Sequence, residues 1–196
     1  METLEDLLRD TKSDEYYLLV NLGNALVRLG QREKAIAFYD RAIELNPNCS
    51  EAWHNRGNVL NNVGKNEEAL ASFDRAIEIK PDSYDSWYSR GFALIDLGKQ
   101  EESIASFDRA IAIKPDFDLA WNCRGRVLVK LGRYDEAVAA FDRVLEIKPD
   151  DDDLWFKMGI FLRFLGRDEE ARVSFGRVIQ TIANKVKPDK YGAENN

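Results

Sequence analysis

An all-α solenoid of five tandem helix-turn-helix units is the fold class this chain predicts, and three observations predict it. Trp53, Trp87, Trp121 and Trp155, all four tryptophans of the sequence, recur every 34 residues. Pro47, Pro81, Pro115 and Pro149 keep the same period, as do two glycine series: Gly23, Gly57, Gly91, Gly125 and Gly159, then Gly30, Gly64, Gly98, Gly132 and Gly166. Within each period the apolar residues are spaced for helix rather than strand. A repeat of this length marks a stack of small units that bury their apolar faces only against one another.

One unit read from Ser50 to Pro81 accounts for each element in turn. Trp53, Gly57 and Leu60 stand at i, i+4 and i+7, one stripe of a first helix, with Gly57 where a side chain would hold a facing helix away. Gly64 follows that helix and suits the left-handed conformation that closes its last turn. The second helix opens with Glu67 and Glu68, which favour the positive end of the helix dipole, and carries Ala69, Phe73, Ala76 and Ile77 on one face. Pro81 ends it. Asp82 is then expected to cap the next first helix, as are Asn48, Asp116 and Asp150 at the same place.

Trp-x2-[Leu or Arg]-Gly-x2-Leu, followed by Gly, Ala, Phe, Ala and Pro, resembles the tetratricopeptide repeat over residues 16–183. That resemblance implies a right-handed superhelix of five units, 16–49, 50–83, 84–117, 118–151 and 152–183, in one solenoid domain. The first unit has Leu19 in place of tryptophan, with Gly23, Leu26, Ala35, Tyr39 and Ala42 as expected. Ser103 replaces an alanine in the third, Val144 and Val178 replace alanines in the fourth and fifth, and the fifth ends in Ala183 instead of proline. None of these changes threatens a helix hairpin. Residues 1–15, with Leu4, Leu7 and Leu8 at helical spacing, are expected to cap the first unit, and residues 184–196 to form a polar tail.

Aromatic stripes at this spacing are ordinarily core, so truncating Trp87 to Ala is expected to cost about 3–5 kcal/mol. Asp40, Asp74 and Asp108 each precede an arginine (Arg56, Arg90 and Arg124) by 16 residues, which suggests an ion pair between neighbouring units or arginine stems that merely pack. Leu22 and Met158 are the apolar exceptions in that arginine series. At the far end Phe175, Val178, Ile179, Ile182 and Val186 have no following unit. Either that last helix is simply lengthened with its face partly exposed, or the face serves a homodimer through the C-terminal repeat.

Hydrophobic residues make up 44% of the chain and charged residues 32%, the balance of a folded protein rather than a disordered one. The net charge of −7 disfavours nucleic acid, whose binding rests on contacts to phosphate. No apolar run is long enough to cross a bilayer and the first residues are acidic, so membrane insertion and secretion are not expected and the cytoplasm is the expected compartment. With two distant cysteines, Cys49 and Cys123, neither a zinc site nor a disulfide framework is suggested, and with His54 the single histidine, a histidine-based metal site or triad has no second member. No phosphate-binding glycine loop is present, because the periodic glycines end or cross helices. The chain is therefore expected to be non-catalytic, without a cofactor.

The resemblance implies that the first helices line a concave groove that binds partners. On them stand Tyr17, Asn21, Asn24 and Arg28 in the first unit, and His54, Asn55, Asn58, Asn61 and Asn62 in the second. An asparagine offers both a donor and an acceptor, so such a patch suits the backbone of an extended peptide, although surface asparagines are often only solvated. Only Asn21 and Asn55 match the asparagine ladder of O-linked N-acetylglucosamine transferase repeats; Ser89, Cys123 and Lys157 depart from it. Asn24 and Asn55 match the clamp that grips chaperone C-termini, but Val20, Asp85 and Ser89 stand where its basic residues belong, which argues against that ligand.

Tyr88, Phe92 and Ile95 add an apolar stretch in the third unit. Asn122, Arg126 and Lys130 in the fourth, with Phe156, Lys157, Ile160, Arg163 and Phe164 in the fifth, mix basic and aromatic groups. The expected partner is an extended protein segment, acidic in part, with an apolar side chain entering near Phe92. Solvated charge is the plain alternative. The competing functions are an assembly factor that holds subunits together and, more remotely, single-stranded RNA binding with Phe156 and Phe164 as stacking platforms.

Overall fold

Local sequence chemistry closes each hairpin. The computed structural model describes residues 4–186, with side chains over 15–184. Ten helices make up these residues: α1 Leu4–Arg28, α2 Arg32–Leu45, α3 Ser50–Asn62, α4 Asn66–Ile79, α5 Tyr84–Asp96, α6 Gln100–Ile113, α7 Asp118–Lys130, α8 Tyr134–Ile147, α9 Asp152–Phe164 and α10 Asp168–Val186. The expected capping residues Leu4, Leu7 and Leu8 lie on the backbone of α1, continuous with the first helix; their side chains, like that of Val186 and the tail 187–196, lie outside the described residues.

The turn between paired helices is the same each time. Gly30, Gly64, Gly98, Gly132 and Gly166 have φ of 74°, 79°, 74°, 73° and 75°, the left-handed region that glycine enters at least cost. At the second of them Gly64 N–H donates to the Asn61 carbonyl at 3.0 Å and Lys65 N–H to the Leu60 carbonyl at 2.9 Å, which satisfies two carbonyls left over by the end of α3.

The other glycine series sets how closely the two helices of a pair approach. A Cβ on Gly57 would lie 2.7 Å from the Phe73 ring, on Gly91 2.5 Å from Phe107, and on Gly159 2.7 Å from Phe175. Phe73 and Phe107 are fully buried beside Ala69, Ala76 and Ala110, so one aromatic ring fills the space that each glycine leaves.

By contacts the chain divides into two compact units, Met1–Ala120 and Trp121–Asn196. In the first, α1 pairs with α2, α3 with α4 and α5 with α6, while α2 packs on α3 and α4 on α5. The leading helices also touch directly, α1 on α3 and α3 on α5, and so form one layer. Its ion pairs settle the arginine question for two positions: Arg56 Nε donates to Asp40 Oδ1 at 2.6 Å and Arg90 Nε to Asp74 Oδ1 at 2.7 Å. Each arginine also donates through Nη1 to a buried serine of its own hairpin, Ser72 at 2.7 Å and Ser106 at 2.8 Å. In the second unit Val138, Leu145, Met158, Leu162 and Ala171 form one buried cluster, with Leu154, Phe161 and Phe175 packed against it.

Two expectations need correction. The tryptophans are half-buried rather than core: the indole N–H of Trp53, Trp87 and Trp155 donates to the carbonyl of Pro47, Pro81 and Pro149, 2.9 Å in each case. The guanidinium groups of Arg90 and Arg109 lie 5.8 and 5.6 Å from the Trp87 ring centroid. Because water still reaches part of the ring, truncating Trp87 costs less than the roughly 3 kcal/mol at the low end for a fully buried tryptophan. The caps, moreover, sit one residue later than expected. Ser83 Oγ accepts from Ser86 N–H, and Asp151 Oδ1 accepts from Leu154 N–H at 2.9 Å. Asp82 and Asp150 are instead turn residues, because Pro81 and Pro149 open a two-residue turn before each helix. Cys49 holds the same place ahead of α3 and makes no side-chain cap.

Candidate functional site in the first helices

In the first unit the leading helices bring the predicted asparagines together. Asn24 Oδ1 accepts from the Tyr39 hydroxyl at 2.7 Å and from Asn55 Nδ2 at 3.0 Å, which ties α1, α2 and α3. Burial of Tyr39 pushes its pKa up to about 12, so it remains a donor. Around this pair lies a cleft of about 330 Å³, lined by Asn24, Val27, Arg28, Asn55, Asn58 and Asn62 among others. Asn21 is exposed on α1. Tyr39 is the contributor that sequence reasoning missed. Its signal was available, since tyrosine stands where the other units have phenylalanine, and a hydroxyl in that slot needs a partner.

His54 and Asn58 meet each other within the protein. Asn58 Nδ2 lies 2.8 Å from His54 Nε2, and His54 Nδ1 lies 3.0 Å from Ser86 Oγ, which in turn is 2.8 Å from Ser83 Oγ. Desolvation lowers the His54 pKa, with Asp85 opposing; where the Asn58 amide N–H donates to Nε2, Nδ1 is the ring nitrogen that donates to Ser86 Oγ. This string links the second and third hairpins.

The third hairpin holds an aromatic cluster. Tyr88 and Phe92 meet edge-on with centroids 5.0 Å apart, Phe92 lies 5.9 Å from Phe107 and Tyr88 4.9 Å from Phe117. Phe92 is thus half-buried and supported on two sides. A rigid apolar step of this kind costs little entropy when a ligand settles on it.

In the second unit Arg126 and Lys130 are exposed on α7, where Asn122 is half-buried. On α9, Phe156, Lys157, Ile160, Arg163 and Phe164 are all exposed. Lys157 Nζ is paired with Asp153 one turn earlier, and Phe156 rests against Phe175 at 5.9 Å. Arg163 lines a second cleft, of about 320 Å³, with Asp168, Ala171, Arg172 and Phe175. Among the described residues no group of three or more His, Cys, Asp or Glu side chains is placed to hold a metal, and no helix is long and apolar enough to cross a membrane.

Tetratricopeptide repeat models match residues 20–84, 72–105 and 119–151, and a further repeat model of the same kind matches 91–132. The chain belongs to the tetratricopeptide repeat family. Among solved structures, this tetratricopeptide repeat chain is similar to MamA, with a TM-score of 0.79 at 21% identity over 90% of this chain and 97% of that one, a likeness of fold. It is also similar to YrrB, described as a tetratricopeptide repeat protein with an unusual peptide-binding site, with a TM-score of 0.69 at 25% identity over 96% and 94% of the two chains. Photosystem I assembly protein Ycf3 of Acaryochloris marina is 38% identical over 48 residues, 24% of this chain and 29% of that protein. The match therefore spans under a third of the curated relative.

Proposed function

We propose that the chain is a non-catalytic scaffold that holds an extended segment of a protein partner against its leading helices. The observation that carries this reading is the cleft of about 330 Å³ in the first unit, where side-chain amides from α1 and α3 stand beside Arg28 and two valines. Amides with their own fixed partners are already oriented, so an incoming peptide backbone meets donors and acceptors in place. In the second unit, exposed Arg126, Lys130, Lys157 and Arg163 interleaved with Phe156, Ile160 and Phe164 favour acidic and apolar side chains of that partner. A family of interaction modules and the peptide-binding site ascribed to YrrB are consistent with it. The assembly-factor reading is favoured by the short stretch shared with Ycf3 and by the exposed apolar residues of α10.

The test is capture from native extract by the wild type and by two variants. Arg126→Glu/Lys130→Glu/Lys157→Glu is expected to lose an acidic partner, and Asn55→Ala to weaken capture several-fold. Unchanged capture by both, with intact helical spectra, would remove the site.

A further inference from the structure

The 34-residue register allows each end of the stack to be compared with an interior junction of the same chain. The junction between the last two hairpins is apolar: Leu154 and Met158 of α9 belong to one cluster with Val138 and Leu145 of α8. Met158 is 2% exposed there and Leu145 3%. One register further on, at the position of Leu145, stands Ile179, and it is 67% exposed. Four registers back, at the positions of Leu154 and Met158, stand Leu18 and Leu22, 58% and 41% exposed. The chain thus presents, at its two ends, the two halves of an interface that it already builds internally.

The charged pair that crosses the junctions of the first unit is missing from both ends together. Interior junctions of the first unit carry an aspartate on one side and an arginine on the other, Asp40 with Arg56 and Asp74 with Arg90. In register with those aspartates α10 has Gly176, and in register with those arginines α1 has Leu22. The α8–α9 junction keeps its aspartate, Asp142, opposite Met158, and burial pushes that carboxyl's pKa up, whereas the two ends bring neither member of the pair and so no such charge to desolvate. Ile182, exposed, further extends the apolar surface of α10 where Lys80, Lys114 and Lys148 stand in earlier repeats.

We infer that the occupant of the α10 end is the α1 end of a second copy, so that chains join head to tail with Leu18 and Leu22 seated against Ile179. Such a contact is heterologous, and each added copy leaves a free end for the next. It is independent of the groove reading above, and a groove variant leaves it intact.

Light scattering on the full chain at rising concentration tests it. The wild type is expected to pass from one copy to two and beyond. Leu18→Glu and Ile179→Glu, both at exposed positions, are each expected to stay single copies with unchanged helical spectra. Mixed together they are expected to form a dimer and stop there, because each variant retains one good end. Leu22→Glu with Ile182→Glu provides a second such pair. A wild type that remains one copy throughout, its last helix covered by its own C-terminal residues, overturns the inference. So does a Leu18→Glu variant that still dimerises through α10, or a mixture that gives no dimer.

Discussion

At the scale of single residues, the two glycine series are required for different physical reasons, and substitution separates them. Gly57 has ordinary helical backbone but faces the Phe73 ring, so Gly57→Ala overpacks the hairpin and is expected to cost about 1–3 kcal/mol. Gly64 faces open space but has φ of 79°, so Gly64→Ala is expected to cost about 1–2 kcal/mol through backbone strain alone. Asparagine tolerates the left-handed region, so Gly64→Asn should recover part of that loss in thermal melts while Gly57→Asn should be worse than alanine. His54 supplies a pH prediction. Its folded pKa is lowered from the ordinary value of 6.5, so its contribution to stability is present above that value and is lost as pH falls through the lowered one. Melting the wild type and His54→Gln from about pH 7 to about pH 5 should show the wild type losing stability more steeply. Both glycine roles were legible in the sequence, because period and helical spacing together specify which glycine ends a helix and which crosses one. The Tyr39–Asn24–Asn55 bonds were not, since they join three helices and depend on side-chain directions that spacing alone leaves open.

At the scale of the element, helix entry is set by a two-residue turn and then a cap. Ser83 receives the Ser86 amide and also stands 2.8 Å from the Ser86 hydroxyl. Ser83→Ala is therefore expected to cost about 1 kcal/mol, whereas Asp82→Ala, in the turn, should be close to neutral; urea titration of the two variants checks the pair. The same geometry explains the misplaced cap in the sequence reading. An acidic residue directly after proline is an attractive cap by composition, yet the proline and its successor are both consumed in reversing the chain. Helix identities survived this error because they rest on apolar periodicity over 13 or 14 residues, and a one-residue shift at the entry does not alter a buried stripe. The tryptophans mislead for a related reason. Helical spacing locates the face on which a side chain sits, but not whether a following turn leaves part of that face open to water.

At the scale of the whole molecule, the repeat explains why fold was more legible than site. Small and aromatic residues at fixed register dictate that hairpins form and pile up, and every copy of the motif restates that instruction. The candidate site is written in a register whose chemistry changes along the chain: an amide at Asn24 and Asn58, then an aromatic ring at Phe92, a cation at Arg126 and an aliphatic chain at Ile160. Spacing placed these residues on the leading helices, but their engagements, Asn58 with His54 and Phe92 with Phe107, follow only from three-dimensional neighbours. The indole-to-proline contact has a consequence for measurement. Trp53, Trp87 and Trp155 each hold their fluorophore against the chain reversal that opens their own hairpin. Chains keeping one indole at a time would therefore glow with the local state of a single hairpin, and a set of them would chart, position by position, where melting of the array begins.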